Sequence, residues 1–80
     1  MTPEQCRAAR GWLDWSQEDL ASDAHVSLST VRDFEKGRHV PIANNLAAMR
    51  AALEAEGIVF VDDDETCGIT YAKPEKDKAH

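Results

Sequence analysis

The sequence predicts a mainly α chain that ends in a β-hairpin, and three observations predict it. Apolar residues recur at intervals of three and four over most of residues 3–57. Thr2, Ser16, Ser27 and then Asn44 or Asn45 stand where helix caps belong. Two β-prone runs, Ile58-Val59-Phe60-Val61 and Cys67-Gly68-Ile69-Thr70-Tyr71, flank an acidic stretch over Asp62–Thr66. The expected architecture is four to five short helices followed by that hairpin.

Thr2-Pro3-Glu4-Gln5 opens the first helix, with Thr2 as cap, Pro3 at the first helical position and Gln5 completing a capping box. Cys6, Ala9, Leu13 and Trp12 are its expected buried stripe, and Arg7 and Arg10 lie on a more exposed side. Trp15 precedes the cap Ser16 and is expected to pack near Leu20 as a hydrophobic staple. The second helix begins at Gln17, with Asp19 reaching back to the cap and Leu20, Ala21 and Ala24 facing inward. After a break over Ala24–Ser27, Ser27 caps a third helix whose inner residues are Val31 and Phe34, and Gly37 ends it. Two short helices joined by so tight a turn outline a helix-turn-helix.

At these residues the chain resembles a known family. Trp15-Ser16-Gln17-Glu18-Asp19-Leu20-Ala21, Val26-Ser27-Leu28-Ser29-Thr30-Val31 and Phe34-Glu35-Lys36-Gly37-Arg38 are similar, in residues and spacing, to the Xre family of phage-repressor-type DNA-binding proteins. The resemblance covers roughly residues 3–60 and implies a repressor-like helix-turn-helix domain. It also implies that Gln17 meets DNA backbone or a base edge. His25 departs from the family, which commonly has glycine there. It is expected to be a strained turn residue, since positive φ is uncommon outside glycine but better tolerated by His than by branched residues.

Ser27, Leu28, Ser29, Thr30, Arg32 and Lys36 supply the expected recognition surface of the third helix, over about residues 28–36. In such motifs the residues near this helix's N-terminus meet base edges in the major groove. Ser29 suits several bases, Leu28 a thymine methyl, and Arg32 guanine or phosphate. Asp33 opposes phosphate unless it accepts from a cytosine amino group or orients Arg32. Lys36, Arg38 and His39 form a compact basic cluster expected to lie along a phosphate strand.

Asn44 or Asn45 is the expected cap of a fourth helix, with Leu46, Met49, Ala52 and Leu53 facing the core and Gly57 as its stop. The hairpin follows, with a five-residue loop over 62–66. An isolated two-stranded hairpin is marginal in water. It therefore needs either the chain's own helices or the same hairpin of a second chain. The second option makes Ile58, Val59, Phe60, Val61, Ile69 and Tyr71 a dimer interface, and a two-fold dimer suits a regulator reading a palindromic operator. The domain reading is therefore 1–57 for DNA binding, 58–71 for dimerisation, and 72–80 as a charged, disordered tail.

Eighty residues make one small domain, which buries only about 60% of its unfolded surface, so a cavity for a sizeable ligand is not expected. No apolar run approaches a membrane span and no signal-peptide pattern opens the chain. Two cysteines, Cys6 and Cys67, build no disulfide scaffold, and with His25, His39 and His80 they form no ligand spacing. A cytoplasmic protein without metal, cofactor or small-molecule ligand is the expectation. No nucleophile–base pair, phosphate loop or apolar carboxylate pair points to an enzyme.

The net charge of −6 opposes DNA binding, which normally leaves a basic footprint. Its placement reduces the objection: residues 54–65 hold Glu54, Glu56, Asp62, Asp63, Asp64 and Glu65 with no basic residue, whereas residues 1–53 sum to −1. The reading is a sequence-specific DNA-binding regulator, a dimeric repressor on double-stranded DNA. The alternative is a protein-binding module of antitoxin or antiactivator type that uses the acidic hairpin or the third-helix face.

Overall fold

Side-chain caps start the first three helices. In the computed structural model, which describes residues 1–73, the elements run α1 (Pro3–Leu13), α2 (Gln17–Ala24), α3 (Leu28–Glu35), α4 (Ala43–Ala55), β1 (Ile58–Asp62) and β2 (Cys67–Tyr71). Thr2 and Gln5 form one reciprocal capping box and Ser16 and Asp19 a second, while the Ser27 hydroxyl accepts from the Thr30 amide. The described residues thus hold four helices and a hairpin, as the sequence predicts.

The first three helices also end alike. Trp15, Val26 and Arg38 donate backbone bonds to Arg10, Ala21 and Asp33, each closing a six-residue loop over a left-handed residue. Those residues are Asp14 and His25, both with φ of 59°, and Gly37 with φ of 74°. The strain expected at His25 is present, and Asp14 carries the same one. Gly11 lies inside α1 without ending it.

Helix α4 departs from expectation at its start. Ile42, not Asn44 or Asn45, occupies the cap position, and no side chain caps the helix. Ile42 is extended, and its carbonyl accepts from Asn45 and Leu46. Both asparagines are drawn into the first turn, where their side chains no longer reach the orphan amides.

The core is built from Cys6 and Ala9 of α1, Leu20, Ala21 and Ala24 of α2, Val31 and Phe34 of α3, Met49, Ala52 and Leu53 of α4, and Ile58 of β1. Leu13, Trp15, Val26 and Leu46 pack around it half-buried. Trp12 does not join the stripe expected of it. It is 60% exposed, and its ring stands 5.5 Å from that of Tyr71.

β1 and β2 pair antiparallel from Ile58 with Tyr71 to Asp62 with Cys67. The strand runs one residue further than expected, leaving a four-residue turn over 63–66. The Asp63 carboxylate accepts from the amides of Glu65 and Thr66 and from the Thr66 hydroxyl, which holds its pKa below the usual carboxylate value. Backbone bonds join Gly57 to Ala72 and Asp63 to Thr66. The alternation of an antiparallel ladder then makes Val59–Thr70 and Val61–Gly68 the bonded pairs between them, and turns the peptide groups of Cys67, Ile69 and Tyr71 outward.

The hairpin rests on its own chain. Ile58 is 2% exposed, and Phe60, Ile69 and Tyr71 pack against the core. The buried Gln5 amide donates to the carbonyls of Val61 and Gly68, both at 2.9 Å. Arg50 of α4 lies over the Phe60 ring at 5.0 Å. Val59, 45% exposed, and Thr70 face the other way. The apolar face expected to meet a second chain is thus largely turned inward.

Candidate nucleic-acid interface

Helix α3 separates two kinds of side chain. Val31, Phe34 and Glu35 are buried, at a helical spacing of three and four, while Ser29, Arg32 and Lys36 are exposed on one stripe with half-buried Asp33 between them. The apolar residues anchor the helix, so the polar stripe faces away from the core.

A buried carboxylate sets the position of α3. Glu35, 3% exposed, accepts from Arg10 Nε at 2.6 Å and Nη2 at 2.7 Å, from the Gln17 amide at 3.0 Å and from the Cys6 thiol at 3.1 Å. Its backbone carbonyl accepts from Arg7. Burial works to raise the Glu35 carboxyl, but the bonds from Arg10, Gln17 and Cys6 outweigh it and hold it below the usual carboxylate range. Burial, reinforced by the Glu35 hydrogen bond, pushes the Cys6 thiol far above its ordinary value, so it stays protonated. Arg10 also donates to the Trp15 carbonyl at 2.9 Å. The Glu35 carboxylate thus ties α1 and α2 to α3, and Arg10 adds the α1–α2 turn.

Periodicity alone puts Arg10 on an exposed face and assigns Glu35 no role, whereas the two meet beneath the surface. The signal was present, because Glu35 falls on the stripe of Val31 and Phe34. A carboxylate at a buried helical position requires a cation within reach.

The site residues named from sequence gather around α3. Gln17 begins α2 half-buried; its bond to Glu35 fixes the side chain while using one of its two amide hydrogens. Ser27, Ser29 and Thr30 cluster at the start of α3, the Ser27 hydroxyl lying 3.2 Å from that of Ser29 and 2.7 Å from that of Thr30. Leu28 is half-buried rather than exposed. Arg38 and His39 follow Gly37 on the surface, and Arg38 reaches Asp33 at 3.9 Å, a loose exposed pair. Asp33 is thus placed against Arg38. The acidic 54–65 block continues from the end of α4 into the hairpin, which packs on α1 and α4.

No helix among the described residues is long and apolar enough to cross a membrane. A family model described as a helix-turn-helix domain matches residues 4–59, well over half of the chain. A search of curated proteins returned no match.

Proposed function

The chain belongs to the helix-turn-helix domain family, and from that premise we propose that it is a sequence-specific, Xre-like transcriptional regulator. It acts as a homodimeric repressor that lays α3 into the major groove of a palindromic operator. The observation that carries this reading is the exposed Ser29–Arg32–Lys36 stripe on a helix locked to the core through Glu35. A rigid helix with a short, polar N-terminal turn meets base edges closely, and a helix that rocked would not hold a register on them.

In this reading Ser29 and Arg32 meet bases, and Leu28 offers its exposed part to a thymine methyl. Ser27 and Thr30 contact the backbone beside them. Gln17, held by Glu35, presents its remaining amide hydrogen and its carbonyl at the start of α2, where the helix terminus favours phosphate. Lys36, Arg38 and His39 take the phosphates beyond α3. The acidic hairpin lies on other helices, so its charge opposes DNA only at long range and is screened by salt.

The test is an anisotropy titration against DNA from upstream of the protein's own gene, with random duplex as competitor, at two salt concentrations. Submicromolar, salt-sensitive binding that survives competitor is expected. Equal, weak binding to both duplexes and to a randomised DNA library would sink the reading in favour of a protein partner for the same face.

A further inference from the structure

We propose that the outer edge of β2 seats β2 of a second copy of this chain, antiparallel about a two-fold axis at Ile69. The proposal deepens the dimer reading above and rests on it.

The ladder turns the N–H and C=O groups of Cys67, Ile69 and Tyr71 away from β1, and no described residue hydrogen-bonds to them. A groove of about 290 Å³ lies beside this edge, lined by Trp12, Ile69, Thr70, Tyr71 and Lys73. Ile69 and Tyr71 belong to the helix-facing side of the sheet and Thr70 to the opposite side, so the groove straddles the edge. Exposed Trp12 stands at its wall. Proteins commonly guard such an edge with charge or proline, and β2 carries neither from Cys67 to Tyr71. β1 differs, with Arg50 over Phe60 and Asp62 at its end.

Charge identifies the occupant. β2 is preceded by the acidic turn ending in Glu65 and followed by Lys73. An edge that is acidic at one end and basic at the other complements itself when reversed. Only outward-facing positions can exchange hydrogen bonds, so the register moves in steps of two. Centred on Ile69, the register sets Ile69 against itself, Cys67 against Tyr71 and Gly68 against Thr70. Every residue of β2 is then used, and the acidic turn holding Glu65 comes to the end of the second copy's β2 that Lys73 follows, twice by symmetry. A step in one direction sets Cys67 against Lys73, and a step in the other sets Glu65 against Tyr71. Both break the charge match and leave part of the strand unpaired.

The experiment is sedimentation equilibrium on the full chain, comparing wild type, Glu65→Lys, Lys73→Glu and the doubly swapped protein. Both altered positions, Glu65 and Lys73, are on the surface, and circular dichroism confirms the fold of each variant. Each single reversal is expected to weaken the dimer by about tenfold, and the double swap to restore it to within about threefold. Reactivity of exposed Cys67 toward a thiol reagent is expected to fall as the dimer forms, because Tyr71 of the second copy covers it. A dimer indifferent to the reversals, with Cys67 equally reactive at all concentrations, overturns this edge and register while keeping a dimer through another surface. A protein still monomeric at about 100 μM overturns both this proposal and the dimer reading.

Discussion

Arg10 grips Glu35 with two nitrogens, Nε on one carboxylate oxygen at 2.6 Å and Nη2 on the other at 2.7 Å. The pair joins α1 to the end of α3 beneath the surface. Removing the cation leaves a buried charge in contact with Gln17 and Cys6 alone. Arg10→Ala is therefore expected to destabilise the protein by about 3 kcal/mol, measured by urea unfolding at neutral pH.

The same pair sets an acid limit. The folded pKa of Glu35 lies below its ordinary value of 4.5, so its contribution is present above that pH and is lost as pH falls through the folded value. Wild type is expected to lose stability below about pH 4.5 more steeply than Glu35→Gln. Thermal melts across pH 3 to 7 compare the two slopes, and parallel curves would contradict the assignment.

His25 holds φ of 59° without being glycine, at the turn between α2 and α3. Its side chain is exposed, so little burial is lost with it. A left-handed residue with a Cβ costs roughly 1 kcal/mol, so His25→Gly is expected to stabilise by about that amount. In a domain of this size it would raise Tm by about 4–8 °C. DNA affinity should not change, because the turn keeps its geometry.

What sequence made legible, and what it did not, divides by the range of the interactions. Thr2, Ser16 and Ser27 act on amides within three residues, so their caps followed from local chemistry. The periodicity of Leu20, Ala21, Ala24, Val31 and Phe34 placed α2 and α3 for the same reason. Ile42 takes the cap position with no side-chain bond, so the start of α4 carries no local capping signal that sequence could show. Periodicity points Trp12 inward, but it stays 60% exposed with the Tyr71 ring of the hairpin beside it. Arg10 and Glu35 lie 25 residues apart, and only the buried position of an acid hinted at their meeting. The stripe of α3 was readable, whereas the fixing of Gln17 by Glu35 needed the fold.

Gln5 serves two elements at once. Its carbonyl caps α1 by accepting from the Thr2 amide, and its amide bonds both strands at the Val61–Gly68 pair. Gln5→Ala removes the second donor from two strand carbonyls that also bond each other's amides, and opens a gap between helix and hairpin. A loss of about 2–3 kcal/mol is expected. Hydrogen exchange provides the sharper check: the amides of the Val59–Thr70 and Val61–Gly68 pairs should exchange faster relative to those of α2. Uniform acceleration would mean that the hairpin opens only with the whole domain.

Arg32 and Lys36 occupy the same exposed stripe, yet their expected roles on DNA differ. Arg32 stands nearer the start of α3, where base edges are met, and Lys36 at its end, where the chain turns along the phosphates. Arg32→Ala is expected to weaken operator binding by about 1–3 kcal/mol and to narrow the gap between operator and random duplex. Lys36→Ala should weaken both duplexes by a similar factor and reduce the slope of log affinity against log salt by about 1 per half-site. Titrations at several salt concentrations separate the two patterns. If Arg32→Ala lowered operator and random binding equally, with the Lys36 signature, Arg32 would be a phosphate contact and base readout would rest on the hydroxyls at the start of α3.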